Sequence, residues 1–162
     1  MDIKKEILEK LEEDCRISAH SLALLLSKEE SEIKKIIEEL ENDKVILGYN
    51  AVVDWDKTDK DNVTALIMLK VTPQRDGGFE KVAEKICAFD EVRTLYLLSG
   101  GSDLAVLIEG KTMREISYFV DKKISVLDSI VSVATHFVMR KYMEKGVVFT
   151  AEEPEDTREN QF

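Results

Sequence analysis

The sequence predicts an α+β protein built from two small domains. Its 162 residues are 44% hydrophobic, which is enough to bury two modest cores, and 35% of them are charged. Apolar residues repeat with a helical period in the first third of the chain. Runs of β-branched residues alternate with helical patterns after that. Two differently patterned halves indicate two domains.

Three amphipathic helices are predicted in the first half. The first covers Ile3 to Leu11, the second follows the capping residue Ser18 and ends near Ser27, and the third covers Glu29 to Glu41. The third has the clearest pattern. Its apolar residues stand at positions i, i+3, i+4 and i+7: Ile33, Ile36, Ile37 and Leu40.

The stretch VILGYNAVVD, residues 45–54, surrounds Gly48 and Asn50 with β-branched and aromatic residues. This composition predicts a hairpin or a bulged strand. Three short helices followed by a strand pair are typical of a winged helix-turn-helix domain, which we place at residues 1–54.

Residues 55–62 are rich in aspartate, show no apolar periodicity and are interpreted as a linker. Beyond them the patterns alternate as strand, helix, strand, strand, helix and strand. The predicted elements are 63–72, 77–89, 92–99, 103–109, 113–127 and 130–139. This order is that of a ferredoxin-like βαββαβ sandwich, placed at residues 63–149, with both helices on one face of its sheet. The bare face predicts a homodimer. The acidic tail, residues 150–162, is expected to be disordered.

The net charge of −10 is unfavourable for binding a polyanion. Residues 1–54 hold 8 basic against 14 acidic residues, residues 55–149 hold 14 of each, and residues 150–162 hold 1 against 5. The acidity therefore lies in the first domain and in the tail.

Several segments resemble one known family. The stretches KEILEKLEEDCRISAHSLALLL, IKKIIEELENDKVILGYNAVVD and LYLLSGGSDLAVLIEG are similar to the Lrp/AsnC regulators, over roughly residues 2–149. The resemblance implies a regulator that binds double-stranded DNA. It also implies dimers formed through the sheets, then higher homo-oligomers, with small effectors such as amino acids bound between dimers.

The candidate DNA-contacting residues are Lys28, Ser31, Lys34 and Lys35, because the N-terminal half of the second motif helix enters the major groove. The alternative is that Glu30 and Lys34 form an i,i+4 pair on a solvated helix. The helix from Glu29 to Glu41 carries six glutamates, which raise the electrostatic cost of docking. Lys44 stands where the family usually closes this helix with Gly.

The candidate effector residues are the turn Gly100, Gly101, Ser102 and Asp103, together with Thr135 and His136 on the last strand. Backbone amides and a carboxylate could hold a zwitterion, but a tight turn between strands explains the same sequence. Compared with the family, Ser102 replaces the usual Tyr or Phe, so one wall of the implied pocket is missing.

The sequence shows no nucleophile beside a base, no phosphate-binding glycine loop and no metal-ligand spacing. We therefore expect no enzyme activity, no cofactor and no metal. Without a long apolar run or a secretory signal, a cytoplasmic protein with no membrane partner is expected. The alternative function is an acidic effector-binding or oligomerisation adaptor with weak or no DNA binding.

Overall fold

The computed structural model of the protein describes residues 2–72 and 78–149. The chain divides into two units, Met1–Val52 and Val53–Phe162. The predicted linker, residues 55–62, falls inside the second unit. The predicted tail, residues 150–162, lies outside the described residues.

The first unit consists of α1 (Ile3–Glu13), α2 (Ala19–Leu26) and α3 (Glu30–Asn42). Each helix buries its apolar stripe in one shared core. The buried members of this core are Ile7, Leu11, Leu22, Ala23, Ile33, Ile36 and Leu40.

The strand pair expected at residues 45–54 is absent, since no strand occurs between α3 and residue 63. The backbone amides of Val45 and Ile46 both donate to the carbonyl of Leu40, at 2.9 and 3.1 Å. These hydrogen bonds satisfy a carbonyl at the C-terminal end of α3, so the two amides do not take part in a β ladder. The following residues meet no partner strand in this chain, and the side chain of Leu47 is 85% exposed.

The second unit contains a four-stranded antiparallel sheet of β1 (Val63–Val71), β2 (Val92–Leu97), β3 (Leu104–Gly110) and β4 (Ile130–Phe137). The strand order is β2-β3-β1-β4, so the first strand of the unit lies in the middle. This is the order of the predicted ferredoxin-like sandwich.

Two helices cover one face of the sheet: α4 (Glu80–Cys87) and α5 (Met113–Phe119), which continues into a π turn over Val120–Ile124. The core between the helices and the sheet is apolar. Its buried members are Ala65, Ile67, Leu69, Val71, Val82, Ile86, Leu104, Val106, Ile108, Ile116, Phe119, Val120 and Ile124. None of the helices among the described residues has the length and apolar content needed to cross a membrane.

The opposite sheet face carries the alternate residues of each strand. The register sets Leu66 opposite Leu107 and Met68 opposite Ala105. Tyr96 joins them from the edge strand and is 62% exposed. The centre of this face is therefore apolar, with His136 opposite Leu66 and Lys70 opposite Ser132 on the β4 side, and neither α4 nor α5 lies on it.

After β4 the chain forms a short hairpin of β5 (Met143–Glu144) and β6 (Val147–Val148). Lys145 and Gly146 both have positive φ, as a two-residue type I′ turn requires. The sequence pattern predicts the last strand at 130–139 and does not indicate this hairpin.

We predict that Lys44→Gly raises the free energy of unfolding. Lys44, two residues after the end of α3, has φ 58°, a left-handed conformation that costs a residue with a Cβ about 1–2 kcal/mol. Glycine loses more backbone entropy on folding, so a net gain of about 0.5–1 kcal/mol is expected in urea denaturation. Lys44→Ala is the control, because it removes the charge and keeps the Cβ. An equal gain in both variants would assign the effect to charge.

Candidate functional site

The first candidate surface is the helix-turn-helix formed by α2 and α3. Ser18 caps α2 by accepting a hydrogen bond from the Ser21 amide at 3.0 Å. Ser27 ends it in the left-handed conformation, and the Lys28 amide donates to the Ala23 carbonyl at 2.9 Å. The chain can then begin α3 at Glu30.

The predicted DNA-contacting residues are all exposed at the start of this second helix. Ser31, Lys34 and Lys35 share the face of α3 opposite the buried Ile33 and Ile36. Lys28 lies in the turn before the helix. The structure therefore places the four residues on the turn and the N-terminal half of α3.

Two of these lysines are paired with glutamates of the same helix. Lys34 lies 2.6 Å from Glu30, and Lys28 lies 3.0 Å from Glu32. Both are exposed i,i+4 pairs of small energetic value. Lys35 makes no ion pair with any described residue. It is the basic residue of this set that needs no rearrangement to meet a phosphate.

Sequence reasoning missed the contact of His20 with this surface. Its Nδ1 lies 3.1 Å from the Glu30 carboxylate, across the gap between α2 and α3. The hydrogen bond from Lys34, followed by that from His20, holds the pKa of Glu30 below its usual value. Glu30 is therefore ionised, and its carboxylate contacts both Lys34 and His20.

The second candidate site is the turn from Gly100 to Asp103. Here the Asp103 carboxylate accepts a hydrogen bond from the Val71 amide at 2.8 Å, and the Asp103 amide donates to the Leu69 carbonyl at 2.8 Å. The carbonyl of Asp103 accepts from the Leu98 amide at 2.7 Å. Asp103 therefore ties the β2–β3 turn to the end of β1, a structural role that the sequence analysis did not assign.

The two glycines of this turn are exposed, and neither has a positive φ. A Cβ added at Gly100 or Gly101 would meet no atom within 4 Å. The fold of this chain therefore does not require glycine at either position, and the space around both is open.

Thr135 and His136 do not meet the turn within one chain. Leu104 and Val133 face the same β1 residue, Leu69, and Thr135 lies two residues farther along β4. Asp103 and Thr135 are thus separated by about 10 Å along the strands and about 10 Å across them. Thr135 and His136 also point to opposite faces, since they pair with Ile67 and Leu66.

A cleft of about 160 Å³ lies elsewhere in the second unit. It is lined by residues 53–56, 62–64 and 138–141, together with Met113 and Phe149. None of the predicted effector residues lines it. The described residues also contain no cluster of side chains that could hold a metal ion.

The sequence is similar to that of known regulators. A family model of the Lrp/AsnC ligand-binding domain matches residues 64–148. The HTH-type transcriptional regulator YugG of Bacillus subtilis strain 168, itself uncharacterised, is 47% identical over 145 residues. That alignment covers 89% of this chain and 87% of the relative.

The fold is similar to that of solved structures. AsnC of E. coli superposes with a TM-score of 0.68 at 21% identity, covering 89% of this chain and 95% of that one. The transcriptional regulator NMB0573 of Neisseria meningitidis, solved in complex with L-Met, gives a TM-score of 0.71 at 19% identity, covering 89% and 92%. These matches confirm the predicted fold class.

We predict that Asp103→Ala destabilises the second unit by about 1.5–3 kcal/mol, because the partly buried Val71 amide loses a charged acceptor. Asp103→Asn keeps an oxygen that can accept the bond and should lose less. Urea denaturation followed by circular dichroism measures both. Unchanged stability of Asp103→Ala would show that this hydrogen bond contributes nothing.

Proposed function

Because the chain belongs to the Lrp/AsnC family of helix-turn-helix transcriptional regulators, we propose that α3 reads duplex DNA and that the second unit binds a small effector. The observation that carries the DNA proposal is the exposed face of α3. It presents Ser31, Lys34 and Lys35 from the helix of the motif that enters the major groove.

The three lysines contribute unequally in this proposal. Lys35 can contact phosphate directly, whereas Lys34 must leave Glu30 and Lys28 must leave Glu32. Each glutamate that remains near phosphate opposes docking. One copy should therefore bind weakly, and two linked copies would gain affinity through avidity.

A homodimer supplies the second copy. Leu66, Met68 and Leu107 lie on the sheet face that no helix of the unit covers, with Tyr96 beside them. Covering apolar area is favourable by about 25 cal/mol per Å², and a twofold axis lets one patch pair with itself. We propose this face as the dimer interface, with higher homo-oligomers built from such dimers.

The effector proposal rests on the turn from Gly100 to Asp103, where both glycines are exposed and their backbone amides donate to no described carbonyl. Such amides suit the carboxylate of an amino acid. Because Asp103 already binds the Val71 amide through Oδ2, it has less capacity for an ammonium group. Thr135 or His136 can complete this site only from another copy of the chain. The L-Met complex of the Neisseria relative supports the amino-acid class.

The relatives are named as transcriptional regulators, and we propose that this chain likewise acts by binding and not by catalysis. The described residues hold no metal cluster. The two histidines, His20 and His136, lie on different units. We propose a cytoplasmic location, where its DNA target would be.

The second candidate function is an acidic adaptor that binds effector or partner copies without DNA. The glutamate pairing of Lys28 and Lys34 favours it, because these pairs neutralise half of the candidate contacts. A DNA titration at two salt concentrations separates the two functions, since an adaptor would show no salt-dependent binding.

We predict that the parent protein is at least a dimer and that Leu66→Glu dissociates it. A glutamate at position 66 would place a charge in the apolar part of the interface, which costs several kcal/mol although His136 lies opposite it on β4. Lys122→Glu, on the π turn and away from this face, is the control and should keep the parent size. Light scattering measures the masses. A monomeric parent at micromolar concentration would remove the proposed interface.

We predict that Lys35→Ala makes the negative slope of log K against log salt shallower by about 1, because one phosphate contact is lost. Glu30→Gln should increase affinity, because it frees Lys34 and removes a negative charge. The probes are genomic duplexes selected by the parent protein, with binding measured at two salt concentrations. Lys81→Ala on α4 is the matched control. If Lys35→Ala and Lys81→Ala bind alike, α3 is not the DNA-contacting helix.

A further inference from the structure

The cleft in the second unit combines an apolar lining with opposite charges. Val53, Val63, Met113 and Phe149 contribute apolar surface. Two aspartates come from the segment 53–56, and two basic residues come from the segment 138–141. Charges of both signs beside apolar surface are suited to a small molecule that itself carries both charges.

Two of the four charged side chains are already engaged. Lys141 lies 3.3 Å from Glu144 and 3.8 Å from Glu109. Asp54 accepts a hydrogen bond from the Asp56 amide at 3.2 Å and lies 3.9 Å from Lys57.

The other two charged groups remain available. Neither the Asp56 carboxylate nor the Arg140 guanidinium forms an ion pair with a described residue. Arg140 stacks on the ring of Tyr142, with 5.1 Å between the guanidinium carbon and the ring centroid. Within residues 2–72 and 78–149, one anion and one cation of the lining thus have no ion-pair partner, and they lie on different chain segments.

Backbone hydrogen bonds hold the walls of the cleft. The Val138 amide donates to the Thr64 carbonyl at 2.9 Å, so the chain leaving β4 stays beside the start of β1. The Phe149 amide donates to the Tyr142 carbonyl at 3.0 Å and closes the β5–β6 hairpin. On the other wall, residues 55–57 form a 3-10 turn. The site is therefore largely formed before a ligand arrives.

We propose that this cleft binds an α-amino acid with an apolar side chain. Arg140 binds the carboxylate, Asp56 binds the ammonium group, and the side chain contacts the apolar lining. The volume agrees with this class, because about 160 Å³ is close to the roughly 150 Å³ of a cavity that accepts benzene. The cleft is separate from the turn at Gly100 to Asp103, so this binding does not depend on the effector proposal above.

The chain carries its own reporter, because Trp55 is its single tryptophan and lines the cleft. Titrating the full chain with L-leucine should change the tryptophan fluorescence and release or absorb heat in calorimetry. Arg140→Gln and Asp56→Asn should each weaken L-leucine about 10- to 100-fold, the effect of losing one charged hydrogen bond. Two analogues test each charge of the ligand separately: 3-methylbutylamine is leucine without its carboxylate, and 4-methylpentanoic acid is leucine without its ammonium group. The parent protein should bind each of them as weakly as the variants bind L-leucine.

Matched controls keep the test specific. Lys145→Gln and Asp61→Asn make the same charge changes at exposed positions outside the lining, and both should bind L-leucine like the parent. Ser102→Glu blocks the turn, so L-leucine binding that the tryptophan signal still reports in this variant belongs to the cleft. Parent-like affinity in Arg140→Gln or Asp56→Asn overturns the proposal. So does the absence of any signal at millimolar L-leucine, L-valine and L-methionine. No DNA is present, so failure here leaves the DNA proposal intact.

Discussion

Strand β1 lies in the middle of the sheet, and its alternating side chains must satisfy two different environments. Ala65, Ile67 and Leu69 are buried under the helices, so a slip of one residue would turn them to the opposite face. Asp103 opposes such a slip by holding the Val71 amide at the end of the strand. The same alternation leaves Leu66 and Met68 on the face that neither α4 nor α5 covers.

In the first unit, stability and DNA recognition make opposite demands on the same side chains. The pairs Glu30–Lys34 and Lys28–Glu32 support helix α3 only weakly, because both are exposed to solvent. They also occupy the cations that would meet phosphate. Glu30 is shared further with His20 from α2, so one carboxylate links the two helices of the motif. In the proposed interface this carboxylate would also compete with the nucleic acid.

The sequence predicted those elements whose signals are local. The helical period of Ile33, Ile36 and Leu40, and the order of the four strands, are present in the structure. The prediction of a strand pair at residues 45–54 was wrong, because a strand depends on a partner strand that the local sequence does not specify. The positions of Lys34 and Lys35 followed from periodicity. The role of Asp103 could not be predicted from periodicity, because its hydrogen bond to Val71 spans 32 residues. The cleft could not be predicted either, because it is lined by segments far apart in sequence.

Residues 53–62 look dispensable in sequence but form part of the second unit. Lys60 lies 3.7 Å from the centre of the Trp55 ring, and residues 53–56 form one wall of the cleft. A truncated protein that starts at residue 63, where the strand pattern begins, would lose that wall and the chain's intrinsic fluorophore together. A truncated protein that starts at Val53 retains both. The residue at which a truncated protein starts therefore decides whether the isolated second unit keeps the tryptophan that reports ligand binding in the cleft.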